Sequence, residues 1–227
     1  LMAIPDYEAV LWDMDGVLLD SERLVRSVFT EVMANGGPVP DAERRYLETI
    51  GLNKAGLIEW FLNYVDSVDS AVYWINQTGD RYTERAKTDL VLKPGVIESL
   101  EHVARSGRRQ MVVTSTRTEL AEAKLERVGL RGYFESLLGG DQVSRGKPHP
   151  EPYLAGCTRL AVAPASALVI EDSPNGVLAG LAAGCNVLHV PDLVPTDPEW
   201  AGQLAATLTS LEAFPGWLDG AGAEATQ

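Results

Sequence analysis

The chain has 227 residues, of which 45% are hydrophobic and 22% charged, and its 32 acidic and 19 basic residues give a formal net charge of −13. This length is enough for one full hydrophobic core and a small second domain. No run of about 18 apolar residues is present, because even the stretch 178–190 is interrupted by Gly184, Asn186 and His189, and a membrane-spanning helix is therefore excluded. The acidic charge repels nucleic acid and anionic lipid, so we expect neither as a partner, and an anionic substrate needs a local cluster of donors.

The start of the chain and its cysteine content predict a cytoplasmic protein. The chain begins Leu1-Met2 without the basic and apolar regions of a signal peptide, and it has only two cysteines, Cys157 and Cys185. Both features suit a reducing compartment. We expect a monomer or a weak homodimer.

Short apolar runs separated by helical patterns predict an α/β fold. The first run, Ala9–Trp12, stops at the acidic turn 13–16, and similar runs recur later in the chain. Helical patterns lie between them, and one, from Pro94 to Arg105, opens with a proline suited to a first helical turn. Strands that alternate with helices favour a doubly wound parallel sheet with helices on both faces, a three-layer Rossmann-like core. The later runs are Gln110–Val113, Ser136–Leu138, Ala167–Ile170 and Asn186–Val190.

Residues 21–90 interrupt this alternation. Apolar residues recur there at helical spacing, and no convincing strand is present. The pattern predicts an all-helical domain inserted into an α/β core that is formed by residues 1–20 and 91–227. Helix breaks are expected at 35–38, at Gly51 and near Thr78-Gly79.

Chemically useful side chains follow the predicted strands. Ligands of a doubly wound sheet bind outside the carboxyl ends of its strands, and Asp13 and Asp15 follow the first strand with a spacing that points both carboxylates the same way. Two such close carboxylates raise each other's proton affinity unless a cation such as Mg²⁺ lies between them. Glu171 and Asp172, which follow the fourth strand, supply further oxygen ligands.

Donors for a phosphoryl group follow other strands. Thr114 and Ser115 come directly after the second strand, and Lys147 lies in the segment Gly146-Lys147-Pro148. Hydroxyl, backbone N–H and ammonium groups all bind phosphoryl oxygens. The sequence therefore predicts a phosphoryl-binding site beside the carboxylates.

Four segments, in this order, resemble the sequence motifs of the haloacid dehalogenase-like hydrolase superfamily: 13–21, 113–115, 146–153 and 170–176. The similarity extends from residue 8 to about residue 190, and the helical insertion resembles the small cap of the branch that holds β-phosphoglucomutase and phosphoglycolate phosphatase. The resemblance implies a Mg²⁺-dependent phosphatase that acts on small phosphorylated metabolites through an aspartyl-phosphate intermediate.

The resemblance also implies a role for each matching residue. Asp13 is expected to be the nucleophile, and Asp15 the general acid and base. Thr114, Lys147 and the backbone N–H of Ser115 are expected to bind the oxygens of the transferring phosphoryl group. The hydroxyl that donates to these oxygens is that of Thr114 or that of Ser115. The expected metal ligands are Asp13, the backbone carbonyl of Asp15, Glu171 and Asp172.

Two departures bear on the substrate. Val25 stands where β-phosphoglucomutase has a histidine. This difference disfavours a phosphosugar mutase, which is the alternative to a phosphatase. Thr116 and Arg117 belong to a loop that resembles the loop with which the mutase binds the non-reacting phosphate of its substrate. Lys54 stands where the mutase has an arginine in its cap. These three residues and Ser115 are the expected substrate contacts, and a sugar phosphate is the preferred substrate.

Two hypotheses of another class remain. A phospho-accepting signalling domain also places carboxylates, a hydroxyl and a lysine at the edge of a parallel sheet, but it needs no insertion such as 21–90. A non-catalytic binding domain that keeps the fold is disfavoured because every reactive position is occupied.

Overall fold

A computed structural model describes residues 6–220 except 51 and 53. Its contacts divide the chain into two compact units. The core unit comprises the segment that ends at Leu19 and the segment that begins at Leu92, and the helical unit comprises Asp20–Val91. Gly51, where a helix break was expected, lies outside the described residues.

The strands and the α-helices are each numbered in chain order. The strands are β1 (Ala9–Trp12), β2 (Arg109–Val113), β3 (Ser136–Leu138), β4 (Ala167–Glu171), β5 (Asn186–His189) and β6 (Ala206–Thr207). The α-helices are α1 (Ser21–Ala34), α2 (Ala42–Arg45), α3 (Lys54–Phe61), α4 (Val68–Asp89), α5 (Val96–Arg105), α6 (Thr118–Arg127), α7 (Glu151–Arg159), α8 (Pro174–Ala182), α9 (Pro198–Ala201) and α10 (Phe214–Leu218). Short 3₁₀ helices span Tyr46–Thr49, Arg131–Tyr133, Gly140–Gln142, Pro164–Ser166 and Leu211–Ala213.

The core unit contains one parallel sheet of six strands in the order β3-β2-β1-β4-β5-β6. The order reverses direction at β1, which pairs with β2 on one side and β4 on the other, so the edge beyond β1 is the switch point where such sheets bind ligands. All residues of β1 and β4 are buried, as expected for strands covered on both faces. The predicted doubly wound fold is confirmed.

The sheet is anchored by satisfied polar groups as well as by apolar packing. The indole N–H of the buried Trp12 donates to Gln110 (3.1 Å), whose amide nitrogen donates to the backbone carbonyl of Leu100 (3.2 Å). Trp12 also packs edge-on against Phe214, with 5.4 Å between ring centroids. Because Asp13 directly follows Trp12, this packing fixes the position from which the first site residue starts.

The helical unit is built on α1 and α4. The expected break near Thr78-Gly79 is wrong, because α4 runs without interruption through both residues. The hydroxyl of Thr78 donates to the carbonyl of Trp74 (3.0 Å), and Thr78 is 9% exposed, so burial outweighs the cost of one helical glycine.

Two details of the core unit also differ from the predictions. Pro94 lies before α5 and not in its first turn, because Gly95, with φ +80°, is the N-cap. The short strand β6 had no clear pattern in the sequence. No helix among the described residues is both long and apolar enough to cross a bilayer.

Candidate active site

The register of the sheet brings the predicted carboxylates together. Trp12 is level with Val112 of β2 and with Ile170 of β4. The residues that follow these strands therefore leave the sheet at one edge. The backbone N–H of Asp13 still donates to the carbonyl of Ile170 (3.0 Å), so Asp13 begins as an extension of the ladder.

Lys147 is the central cation of this edge. Its Nζ donates to Oδ1 of Asp13 (2.6 Å), to Oε1 of Glu171 (2.6 Å) and to the carbonyl of Val113 (3.0 Å). The side chain of Lys147 is only 6% exposed, that of Asp13 is 10% exposed and that of Glu171 is fully buried, at 0%. One ammonium therefore serves two buried carboxylates.

Burial and the shared ammonium shift the pKa values of Asp13, Lys147 and Glu171 in different directions. Burial raises the pKa of Asp13 to about 8, and the charges of Glu171 and Asp15 add to this, although Lys147 opposes it. Burial alone would lower the pKa of Lys147, but Asp13 and Glu171 outweigh it and raise that pKa. Burial also acts to raise the pKa of Glu171, but Lys147 and further donors hold it below its usual value. Asp13 is thus the carboxylate that lacks a full counter-charge.

Glu171, the last residue of β4, accepts hydrogen bonds from five donors just before α8 begins. Its Oε1 accepts from Lys147 and from the hydroxyl of Tyr153 (2.7 Å), and its Oε2 accepts from the N–H of Asp172 (3.1 Å) and from the N–H and hydroxyl of Ser173 (3.3 and 3.1 Å). Ser173 also caps α8 by accepting from the N–H of Gly176 (3.1 Å). The positive end of the helix dipole adds to the stabilisation of this carboxylate.

Asp15 has a different set of partners. Its Oδ2 accepts from the hydroxyl of Thr116 (2.7 Å), and its Oδ1 accepts from Nζ of Lys124 (2.9 Å), a lysine of α6. The side chain of Asp15 is 24% exposed, so it is more open to solvent than that of Asp13. This placement suits a group that exchanges protons with a bound molecule.

The carboxylate of Asp172 packs directly against Gly16. A Cβ on Gly16, which has φ +90°, would lie 2.2 Å from Oδ2 of Asp172, so only glycine leaves room for this carboxylate. The backbone carbonyl of Asp172 accepts from Nε2 of the buried His189 (2.9 Å), whose Nδ1 accepts from the hydroxyl of Thr196 (2.8 Å). Burial lowers the pKa of His189, which keeps the ring neutral for this arrangement.

The donor set fits a divalent cation. Asp13, Glu171 and Asp172 each offer a carboxylate oxygen, and these oxygens lie within 4.8 Å of one another in buried surroundings. Carboxylate oxygens are the ligands that Mg²⁺ prefers, and Lys147 alone does not balance three negative charges. A cation here would also favour the charged form of Asp13, whose pKa is raised mainly by burial.

The remaining predicted residues lie after β2 in the core unit and in the helical unit. Thr114 is buried directly after β2, and its hydroxyl oxygen accepts from the N–H of Thr116 (3.1 Å). Ser115 and Arg117 are exposed in the turn that leads into α6, where Arg117 is the N-cap residue. Lys54 is the exposed first residue of α3 in the helical unit.

Three residues of the site had no predicted role. Tyr153 is the last residue of the motif 146–153 and lies on α7, but its partner Glu171 is far away in the chain, at the end of β4. Lys124 lies in the second turn of α6, and His189 ends β5. The first of these had a signal in the motif, whereas no local pattern marks the other two.

Comparison with known proteins agrees with this geometry. Residues 10–190 match the family model described as haloacid dehalogenase-like hydrolase. The chain is 35% identical over 185 residues to the phosphorylated carbohydrates phosphatase of Thermotoga maritima, which covers 80% of this chain and 84% of that one. It is 32% identical over 203 residues to hexitol phosphatase A of Escherichia coli, with 89% and 90% coverage.

A solved structure is similar over the same range. The crystal structure of CbbY from Rhodobacter sphaeroides in complex with phosphate superposes with a TM-score of 0.73 at 28% identity, and the match covers 91% of this chain and 95% of that one. The predicted phosphatase class is confirmed by these relatives together with the buried acidic cluster. The chain therefore belongs to the haloacid dehalogenase-like hydrolases.

Proposed function

We propose that the protein hydrolyses small phosphate monoesters, with sugar and hexitol phosphates as the substrate class, and that Asp13 is the nucleophile. The contact that supports this best is the one between Lys147 and Asp13 (2.6 Å) at the carboxyl end of β1. A lysine in this position orients the carboxylate and holds positive charge where a phosphoryl group arrives. The named relatives that are carbohydrate and hexitol phosphatases support the substrate class.

In the proposed mechanism, the Asp13 carboxylate attacks phosphorus and the bond to the leaving oxygen breaks. Asp15 gives its proton to that oxygen, then takes a proton from the water that cleaves the aspartyl phosphate. Thr114, the Ser115 N–H and Lys147 hold the transferring oxygens. Asp13, Asp172 and the Asp15 carbonyl would hold Mg²⁺, which neutralises negative charge on the phosphoryl group when bound. A direct bond from Glu171 to the metal stays a prediction.

The helical unit supports hydrolysis over mutase chemistry. A cavity of about 310 Å³ in this unit is lined mainly by apolar side chains, and Val25 is one of them. A mutase needs a second group that manages protons at the sugar hydroxyl, and valine has no atom that transfers a proton. We therefore propose that water, and not a second sugar hydroxyl, accepts the phosphoryl group.

The test is a panel of phosphorylated sugars, hexitols and phosphoglycolate, with release of inorganic phosphate measured in Mg²⁺ and in EDTA. We expect turnover in Mg²⁺, loss of turnover in EDTA, and loss of at least about 10³-fold for Asp13→Asn, whose amide cannot form an acyl phosphate. Asp15→Asn is the matched variant, expected to retain phosphoenzyme formation with good leaving groups and to lose ~10²- to 10⁴-fold with sugar phosphates. Full turnover in EDTA, or an active Asp13→Asn, would overturn the proposal.

A further inference from the structure

We propose that Tyr153 is a positioning residue that holds Lys147 on the nucleophile through Glu171. The proposal rests on the proposed function, because it assigns Lys147 to the transferring group. The phenol of Tyr153 donates to Oε1 of Glu171 (2.7 Å), which is the same oxygen that accepts from Lys147 (2.6 Å). The chain Tyr153–Glu171–Lys147–Asp13 is thus continuous, and each contact is 2.6 or 2.7 Å long.

Tyr153 contacts Lys147 in a second way. The Nζ of Lys147 lies 5.0 Å from the centroid of the Tyr153 ring, within the range of a cation–π contact. The ammonium is therefore bounded by the ring on one side and by the oxygens of Asp13, Glu171 and Val113 on the others. Movement of this ammonium away from Asp13 would break at least one of these contacts.

The position of Tyr153 excludes a direct role on the substrate. Its side chain is fully buried, at 0% exposure, on a helix packed against the sheet. Its hydroxyl donates to an oxygen of Glu171 that is itself 0% exposed. A bound phosphate monoester thus meets Lys147 and Asp13, whereas Tyr153 acts only through them. Loss of its hydroxyl should change the rate of the chemical step and leave substrate binding nearly unchanged.

The physical reason is the balance of donors on Glu171. Without the phenol, Oε1 keeps Lys147 as its remaining donor among the contacts described, and Oε2 keeps its three. A buried carboxylate that loses a donor draws its remaining cation closer. Lys147 then shifts toward Glu171 and away from Asp13, where the phosphoryl group is transferred.

The experiment compares Tyr153→Phe with Tyr7→Phe in the full-length chain. Tyr7 is also buried, at 1% exposure, and stacks on Trp217 at the other end of the core unit, so it controls for loss of a buried phenol. For Tyr153→Phe we expect kcat to fall about tenfold, which is ~1.4 kcal/mol, with KM within about twofold of wild type. Binding of beryllium fluoride with Mg²⁺, measured by calorimetry, should weaken by a similar factor, and Tyr7→Phe should change neither.

A double-mutant cycle separates positioning from general destabilisation. If Tyr153 acts through Glu171, Tyr153→Phe should have at most a twofold effect on kcat in a Glu171→Gln background, where the anion that links it to Lys147 is gone. A full tenfold effect in that background, or an unchanged kcat and beryllium fluoride affinity for Tyr153→Phe alone, would overturn the proposal. If wild type neither releases phosphate nor binds beryllium fluoride, the proposed function has failed instead.

Discussion

At the residue scale, the carboxyl group that we assign to catalysis is costly to the fold. Asp13 is buried beside Glu171 and shares one lysine with it, and burial raises its pKa to about 8. The unfolded chain has an ordinary aspartate pKa near ~3.9, so between these values the folded state binds a proton that the unfolded state does not. Stability in the absence of metal therefore falls as the pH rises from about 4 to about 8.

This asymmetry predicts that Asp13→Asn stabilises the protein while it abolishes activity. The amide keeps the shape and carries no charge, so the melting temperature in EDTA should exceed that of wild type by about 4 °C or more at pH 8 and by much less at pH 5. Thermal unfolding followed by circular dichroism checks this. Glu126→Gln is the control, because it removes one negative charge, as Asp13→Asn does, but at an exposed position on α6. It should leave the pH dependence of the melting temperature as in wild type. A difference in melting temperature between Asp13→Asn and wild type that is the same at all pH values would contradict the electrostatic account.

At the scale of elements, the start of α8 is where helix and carboxylate depend on each other. Glu171 ends β4, and its oxygens accept the first N–H groups before the helix, while Ser173 caps it. The carboxylate also lies against Gly176 in the first turn, since a Cβ there would be 1.8 Å from Oε1 of Glu171. No side chain fits at that position while Glu171 keeps its five donors.

Gly176→Ala should therefore damage both stability and activity. The added methyl group must displace a carboxylate that five donors hold, and such overpacking costs ~1–3 kcal/mol. Because Glu171 contacts Lys147, we expect kcat/KM to fall about 100-fold or more. Gly216→Ala is the matched control, because Gly216 lies in the helix α10 with no atom within 4 Å of its added Cβ. The measurements are denaturant unfolding and phosphate release, and a fully active Gly176→Ala would mean that Glu171 can move without consequence.

The elements also show what the sequence could and could not predict. Asp13 and Thr114 were predicted because the carboxyl ends of parallel strands meet at one edge, and short apolar runs mark those ends. Lys147 does not follow a strand directly and was predicted from the segment 146–153, which resembles a motif of the family. The pairing of Lys124 with Asp15 spans 109 positions in the chain, so no local pattern encodes it.

The predictions for α4 and β6 were incomplete for a related reason. The helix α4 continues through Thr78 and Gly79 because Thr78 is buried in the helical unit, and a breaking signal read from residue type alone omits that burial. The strand β6 consists of Ala206–Thr207, which is too short to show the alternation or apolar run that marks a strand. In both cases tertiary contacts decide a structure that local propensity leaves open.

At the scale of the whole molecule, the two units carry different kinds of side chains. The carboxylates and Lys147 belong to the core unit, whereas the helical unit has an apolar cavity and the exposed Lys54 at the start of α3. We propose that the core unit performs the chemistry and that the helical unit, as a cap, selects the substrate. Chemistry common to all substrates should then be separable by mutation from recognition of the leaving group.

This division is testable with two lysines and two substrates. Lys147→Ala should lower kcat/KM by about 100-fold or more for both a hexitol phosphate and acetyl phosphate, because Lys147 contacts Asp13, where every phosphoryl group is transferred. Lys54→Ala should lower kcat/KM about tenfold for the hexitol phosphate and less than twofold for acetyl phosphate, whose small leaving group has no hydroxyl groups for a lysine to bind. Lys87→Ala, another exposed lysine of the helical unit, paired with Glu84 at 2.5 Å, should leave both rates unchanged. If Lys54→Ala harms the two substrates equally, or Lys147→Ala spares acetyl phosphate, recognition and chemistry are not divided between the units in this way.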